Sequence, residues 1–180
     1  ALLSSEIQAL KELEITHISA YGLMLESEIS SKKSYQKDSS ILAKYLINSL
    51  ENIGFKQYEI SNFAKIGYEC RHNIKYWTGE NYIGLGVAAH SYNGDARYYN
   101  TSDINEYING AEREITPLTR EDKISEFIIT GLRMNTGISE QVFYERFGTD
   151  IMSLYGNEIE RFIGLDLMRY DSGRYYLTRK

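Results

Sequence analysis

The sequence predicts an α/β protein whose first part alternates helices with strands and whose last part is a small helical module. A helix, a strand, a second helix and a second strand follow one another in the first 60 residues. After residue 118 the pattern changes to a helix, a short helix, a third helix and a hairpin, which is the outline of a winged helix. Hydrophobic residues make up 42% of the 180 residues and charged residues 25%, which is enough apolar material for a folded core.

In the first part, the order of elements predicts parallel strands joined by crossover helices. The first helix is expected to open with a capping box formed by Ser5 and Gln8. The chain begins on a helix with no strand before it and without an initiator Met, so we expect it to be a piece of a longer protein. The remaining elements are a strand over 16–25, a polar loop over 26–37, a helix over 38–53 that stops at Gly54, and a strand over 57–60.

The strand over 16–25 is predicted to have two different faces. Ile18 and Ala20 point to one side, whereas His17, Ser19 and Tyr21 point to the other. An apolar face covered by helices opposite a polar face is typical of a strand that lines a barrel lumen or a cleft.

Between residues 61 and 118 the periodicity is weaker. Residues 61–79 show little pattern, and we predict strands over 81–87 and 97–101 and a helix over 103–114 that is capped by Ser102 or Asp103. The segment 115–118 carries the single Pro and is interpreted as a boundary, so that the domains would be 1–115 and 116–180.

The last part has clear local signals. Thr119 with Asp122 is expected to cap a helix, and a second, short helix over 139–147 ends at Gly148. A third helix over 150–163 and a hairpin formed by 167–170 and 174–178 complete the module. The third helix, the recognition helix of a DNA-binding winged helix, carries more acidic than basic residues, so we expect no binding of nucleic acid.

The residues that could carry chemistry cluster between 58 and 91. Cys70 and His72 are followed by Tyr76 and the single Trp, Trp77. An aromatic pocket beside an imidazole suits a tetrapyrrole, with the imidazole as an axial ligand. In the alternative interpretation, which the spacing alone favours, Trp77 anchors a core and His72 bridges two hydrogen-bonding groups.

Other site chemistries are less well supported by the spacing. A zinc site at Cys70 and His72 would need two further ligands, which His90 alone does not complete. Gly84-x-Gly86 lacks the third glycine of a dinucleotide fingerprint, and we interpret it as a place where the backbone approaches a neighbour closely. One Cys also excludes an intrachain disulfide and an all-cysteine metal site.

Three segments together resemble a known family. They are Tyr58–Ala64, the run His72-Asn73-Ile74-Lys75-Tyr76-Trp77, and Gly84–Ser91. In these segments the sequence is similar to the radical S-adenosylmethionine family of oxygen-independent coproporphyrinogen III oxidases, and above all to its heme chaperone branch, whose mark is His-Asn-x-x-Tyr-Trp. The resemblance covers nearly the whole chain.

The resemblance implies a fold and a set of cofactor contacts. Residues 1–115 would be the last units of a partial (β/α) radical S-adenosylmethionine barrel, and 116–180 a winged-helix-like C-terminal domain. The family uses S-adenosylmethionine and a 4Fe–4S cluster, but its three-cysteine motif is absent here, so this chain cannot hold the cluster or perform the radical step by itself. The matching positions are Phe63, Ala64 and Ile129 for S-adenosylmethionine, and His72, Asn73, Tyr76 and Trp77 for heme, with His72 as the iron ligand.

The implied function is heme binding and delivery to a heme-accepting protein. The alternative is the oxidative decarboxylation of coproporphyrinogen III, for which Arg71, Lys75 and Arg97 are the candidate carboxylate ligands. We further expect a cytoplasmic location, a tetrapyrrole as the bound partner, and association with a membrane surface. An unpaired edge strand of a half barrel would favour a homodimer.

Overall fold

The computed structural model describes residues 2–22 and 33–179, which fall into two compact units, 1–70 and 71–180. The first unit holds two helices and three strands. They are α1 (Leu2–Leu10), β1 (His17–Ser19), α2 (Lys33–Asn52), β2 (Lys56–Glu59) and β3 (Asn62–Ala64).

The sheet of the first unit has the order β1-β3-β2, and both pairings are antiparallel. Strands β1 and β2 therefore run in the same direction with α2 as the crossover, as the element order predicts. The two strands do not pair with each other, because the chain reverses at Ile60 and Ser61 and places β3, which was not predicted, between them.

The core of the first unit forms on one side of this sheet. Leu50, Phe55 and Phe63 are buried at its centre, and Ile18 and Ala20 pack against them. The apolar face predicted for β1 is thus confirmed, although the strand is shorter than 16–25.

Both helices of the first unit begin earlier than predicted. Helix α1 already includes Ser5, so the capping box of Ser5 with Gln8 is wrong. Helix α2 starts at Lys33, inside the segment 26–37 predicted as a loop. Residues 23–32, which include the end of the strand predicted over 16–25 and the start of that loop, lie outside the described part. After α2, Gly54 takes a φ of 93°, which is the left-handed conformation expected of a residue that ends a helix.

The second unit opens with a short helix and a three-stranded antiparallel sheet of order β4-β5-β6. The strand predicted over 97–101 is observed one residue earlier at its start and two earlier at its end, and the helix predicted over 103–114 is much shorter, although Asp103 caps it as expected. The segment predicted as a boundary contributes a strand. The elements are α3 (Arg71–Thr78), β4 (His90–Tyr92), β5 (Ala96–Tyr99), α4 (Ile104–Ile108) and β6 (Glu114–Pro117).

The strand predicted over 81–87 is wrong. This segment makes one isolated bridge, between Tyr82 and Tyr92, and two of its amides donate to side chains: Gly84 N to Ser91 Oγ at 2.9 Å and Gly86 N to Tyr107 Oη at 3.2 Å. A Cβ at Gly84 would lie 2.1 Å from the carbonyl oxygen of His90, so the predicted close backbone approach is confirmed. That approach requires glycine.

The remainder of the second unit has the predicted winged-helix outline. Thr119 and Asp122 form a full capping box, Ser139 caps the second helix, and Gly148 ends it with a φ of 65°. A short strand that the sequence did not predict joins the hairpin in the order β7-β9-β8. The elements are α5 (Arg120–Gly131), β7 (Ile138–Ser139), α6 (Glu140–Phe147), α7 (Ile151–Gly164), β8 (Met168–Asp171) and β9 (Arg174–Leu177).

The helices and the hairpin of this module enclose a core with three aromatic rings at its centre. Phe127, Phe143 and Phe147 lie in mutual contact, with ring centroids 4.9–6.1 Å apart. The domain division at 115/116 remains a prediction. In the described residues, no helix is both long and apolar enough to cross a bilayer.

The aromatic core predicts the response to truncation of Phe143. This side chain is fully buried, so Phe143→Ala should lower the free energy of unfolding by about 3–5 kcal/mol through lost contacts and a cavity. Val142→Ala, at the neighbouring half-exposed position, should change it by about 0.5 kcal/mol. Urea denaturation followed by circular dichroism measures both, and equal losses would contradict this packing.

The capping box of α5 predicts a pH dependence. Hydrogen bonds from the Thr119 hydroxyl and amide hold the pKa of Asp122 below its ordinary value of 3.8. The stabilisation is therefore present above that value and is lost as the pH falls through the lower pKa of the folded state. Between about pH 5 and about pH 2.5, stability should fall more steeply in the wild type than in Asp122→Asn. Glu121→Gln should keep the wild-type slope; identical slopes in all three proteins would refute the assignment.

Candidate functional site

Helix α3 carries the four residues predicted to contact heme. His72 and Tyr76 lie one turn apart, and this spacing brings Tyr76 Oη to 3.1 Å from His72 Nε2. The two rings meet edge to face with their centroids 5.0 Å apart. His72 is exposed, and in the described residues Nδ1 has no hydrogen bond. The tyrosine therefore orients the imidazole and leaves one ring nitrogen open.

A row of aromatic rings continues from this pair to the β4 strand, within the second unit. Tyr76 packs edge to face on Tyr82 at 4.5 Å, and Tyr82 lies 6.2 Å from Tyr92. The backbones of Tyr82 and Tyr92 also exchange two hydrogen bonds of 2.9 Å. The position of the His72 ring is thus tied to the sheet that contains β4.

Trp77 and Asn73 are half-buried on the same helix. The Arg133 guanidinium stacks over the Trp77 ring at 4.2 Å from the centroid. The indole Nε1 is buried and has no hydrogen-bond partner in the described part of the chain. Trp77 consequently packs against a charged residue and retains one unsatisfied donor.

The C-terminal end of α3 is held by Arg146 from helix α6. Its guanidinium donates to the carbonyl oxygen of Thr78 at 3.2 Å and to that of Gly79 at 2.9 Å. The same group lies 5.2 Å from the centre of the Phe127 ring. A cation at the end of a helix satisfies carbonyls that have no partner within the helix, so α6 fixes where α3 ends.

A cleft of about 240 Å³ lies beside the aromatic row. Arg97 spans part of it and forms two bonds to Glu126, of 3.0 and 2.9 Å. The hydrogen bond to Glu126 raises the pKa of Arg97, and burial raises the pKa of Tyr82. The lining residues are Tyr76, Trp77, Gly79, Glu80, Tyr82, Tyr92, Arg97, Lys123, Glu126, Phe127, Thr130 and Arg146.

In the first unit, the sheet face opposite the core carries a polar network. His17 Nε2 lies 3.0 Å from Tyr58 Oη, and Ser19 Oγ donates to Asn62 Oδ1 at 2.6 Å. The Asn62 amide donates to Glu59, whose carboxylate also accepts from the Ser61 amide at 2.8 Å. This polar face of β1 agrees with the one predicted for a lumen strand.

Asn62 and Glu59 were not singled out from the sequence, although both are almost completely buried. The run Tyr58-Glu59-Ile60-Ser61-Asn62 shows why. Two polar residues flanking a tight turn are ordinary for an exposed hairpin. Asn62 and Glu59 are buried because β3 pairs with β1, and the local sequence does not show that pairing.

The residues predicted to contact S-adenosylmethionine fall in both units. Phe63 belongs to the core of the first unit, and Ala64 is buried next to it in β3. Ile129 lies on α5 in the second unit, 67% exposed, at the edge of an apolar cleft of about 310 Å³. Their roles toward that cofactor remain predictions.

The described residues contain no cluster of three or more His, Cys, Asp or Glu side chains suited to a metal ion. Cys70 is a free, half-buried thiol and the single cysteine of the sequence. A three-cysteine cluster therefore does not fit the residues of this chain, whereas an exposed imidazole fits a metal that brings its other ligands with it.

Comparison with known proteins identifies relatives along the whole chain. Residues 118–180 match the HemN C-terminal domain family. The heme chaperone HemW of Bacillus subtilis is 31% identical over 99% of this chain and 51% of its own length. The HemW of Lactococcus lactis is 29% identical over the same shares. The radical S-adenosyl methionine domain-containing protein 1 of Danio rerio is 36% identical over 69% of this chain and 33% of its own length.

A solved structure shares the fold. It is the coproporphyrinogen III oxidase HemN of Escherichia coli, described as a radical SAM enzyme, with a TM-score of 0.72 and 17% identity. The match covers 98% of this chain and 48% of the enzyme. The chain thus has the fold of part of a radical S-adenosylmethionine protein.

The sequence relatives identify the family within this class. The chain belongs to the oxygen-independent coproporphyrinogen III oxidase-like radical S-adenosylmethionine family, in its heme chaperone branch. It spans about half the length of the curated relatives that it matches.

The contact between Arg146 and α3 generates a prediction that the single tryptophan can report. Arg146→Met keeps most of the aliphatic stem but removes both bonds to the end of α3. We expect a loss of about 1 kcal/mol in unfolding free energy and a red shift of Trp77 emission as α3 loosens. Arg161→Met, at an exposed position of α7, is the matched control and should show neither change. Unchanged emission in Arg146→Met would disprove the role of this contact.

Proposed function

We propose that this chain is the heme-binding part of a heme chaperone, and that His72 supplies a ligand to the heme iron. The observation that supports this most strongly is the exposed His72 ring, which is oriented by Tyr76 through one nitrogen only. The names of the relatives agree with it, since two heme chaperones align with 99% of this chain.

The geometry suits an axial ligand. Iron takes a neutral imidazole nitrogen, and metal-bound imidazoles commonly use their other ring nitrogen in a hydrogen bond that fixes the ring. At His72 this bond already exists, with the Tyr76 hydroxyl as partner and Nδ1 as the open position. The aromatic row behind Tyr76 holds the pair in place before any ligand arrives.

The proposal assigns the radical chemistry of the family to residues that this chain does not contain. Bound S-adenosylmethionine and a 4Fe–4S cluster would supply a radical source, and this chain would contribute contacts from Phe63, Ala64 and Ile129. The strands β1 and β2 each have one edge without a partner strand in the described residues, which leaves room for further strands or a second copy.

The residues of the chain favour heme binding over the oxidase reaction. An oxidase that holds several carboxylates needs converging free cations. Of the three candidates, Arg71 and Lys75 lie exposed on α3 and only Arg97 lines the cleft, so the three cations do not converge on one site. Delivery to a heme-accepting protein, a cytoplasmic location and association with a membrane surface are further parts of the proposal.

Titration with hemin tests the assignment of His72. The wild-type chain should shift the Soret band, and His72→Ala should weaken binding more than tenfold because the iron ligand is lost. Tyr76→Phe keeps the ring but removes the hydrogen bond, and it should weaken binding by about tenfold.

His90→Ala is the matched control, because His90 is also an exposed imidazole of the second unit and packs on Tyr99. It should bind hemin like the wild type. Equal Soret shifts and affinities for His72→Ala and the wild type would show that heme is held elsewhere or not at all.

A further inference from the structure

The cleft beside the aromatic row is lined by hydrogen-bond donors that have unused capacity. The Tyr82 hydroxyl has no hydrogen bond to any described residue. Arg97 uses two of its five N–H groups on Glu126, and Lys123 uses one of its three on Asp95 at 2.6 Å. An acceptor with several lone pairs would satisfy these groups together.

The charged side chains that line the cleft also favour an acceptor that carries a negative charge. Three cations line it, from Arg97, Lys123 and Arg146, against the carboxylates of Glu80 and Glu126. Arg97 and Glu126 neutralise each other, which leaves Lys123 and Arg146 against Glu80 among the lining charges. The pair between Lys123 and Asp95 is a surface pair, since the Asp95 side chain is 85% exposed, and such pairs break readily.

The size of the cleft limits what it can hold. Whole-ligand pockets have volumes of about 300–1,000 Å³, and this cleft of about 240 Å³ is smaller. It therefore accommodates a side group of a larger ligand. Tyr76 lines the cleft and also bonds His72, so the imidazole lies one side chain away from the cleft.

We propose that this cleft is a carboxylate subsite, in which Tyr82, Arg97 and Lys123 bind a propionate of the tetrapyrrole whose iron is bound by His72. This inference rests on the proposed function and deepens it. Of the three cationic side chains that the sequence offered for carboxylates, Arg97 is the one in the cleft, and Tyr82 and Lys123 are additions from the structure.

Esterification of the ligand provides the test. Hemin and hemin dimethyl ester share the iron and the ring, but the ester has no free carboxylate. The wild-type chain should bind hemin about tenfold more tightly than the ester, since a charge-assisted hydrogen bond is lost. Tyr82→Phe and Lys123→Met should weaken the binding of hemin by about tenfold and leave that of the ester unchanged. Arg113→Met, an exposed cation of the second unit, should retain the wild-type preference.

The outcomes separate this inference from the proposed function. If hemin and its ester bind equally well and both depend on His72, the carboxylate subsite is wrong and heme binding stands. If the binding of neither compound depends on His72, the proposed function itself is wrong. Sodium propionate, added alone to the wild-type chain, is the third ligand of the test. If it perturbs Trp77 emission while hemin and ester bind equally, the cleft takes free carboxylates and the tetrapyrrole assignment is overturned.

Discussion

The placement of one eight-residue helix, α3, is the constraint on which the candidate site depends. Within the helix, one-turn spacing joins the Tyr76 hydroxyl to the imidazole of His72. At its end, Arg146 from α6 satisfies two carbonyl groups that the helix leaves open. No residue of α3 is buried, so these contacts and the stacking on Trp77, rather than a core of its own, hold the helix in register.

The contact with Arg146 also explains why a winged-helix-like module that carries no basic recognition surface accompanies this site. Arg146 lies against Phe127, which belongs to the aromatic core of the module. Through this residue the packing of α5 and α6 positions α3, while Lys123 and Glu126 of α5 line the cleft next to it. Residues 118–180 thus support a site whose four predicted heme contacts, on α3, lie outside them.

Features that depend on neighbouring residues could be predicted from the sequence, whereas features that depend on distant contacts could not. The capping box at Thr119 and the helix end at Gly148 depend on a few adjacent residues, and both were predicted correctly from the sequence. The segment over 81–87 has the composition of a strand, but its two glycines and the approach to His90 divert its hydrogen bonds to side chains. The loss of strand pairing in this segment depends on tertiary contacts that the local sequence does not show.

The candidate site was foreseen unevenly for the same reason. His72 and Tyr76 are one helical turn apart, so their contact follows once α3 is a helix, yet the segment 61–79 shows no periodicity that predicts one. The cleft combines Tyr82, Arg97 and Lys123 from distant parts of the sequence, and no spacing could have linked them. The buried pair of Asn62 and Glu59 was missed because its burial arises from the pairing of β3 with β1.

The central claim is that the imidazole of His72 is bonded to heme iron, and chemical rescue examines it most directly. Ferric heme complexes of the wild type and of His72→Ala are compared by electron paramagnetic resonance, with and without added imidazole. The account predicts that the variant lacks the wild-type signal and regains it when free imidazole fills the vacated position. A wild-type signal in His72→Ala without imidazole would contradict it, because the iron would then be bonded to another residue.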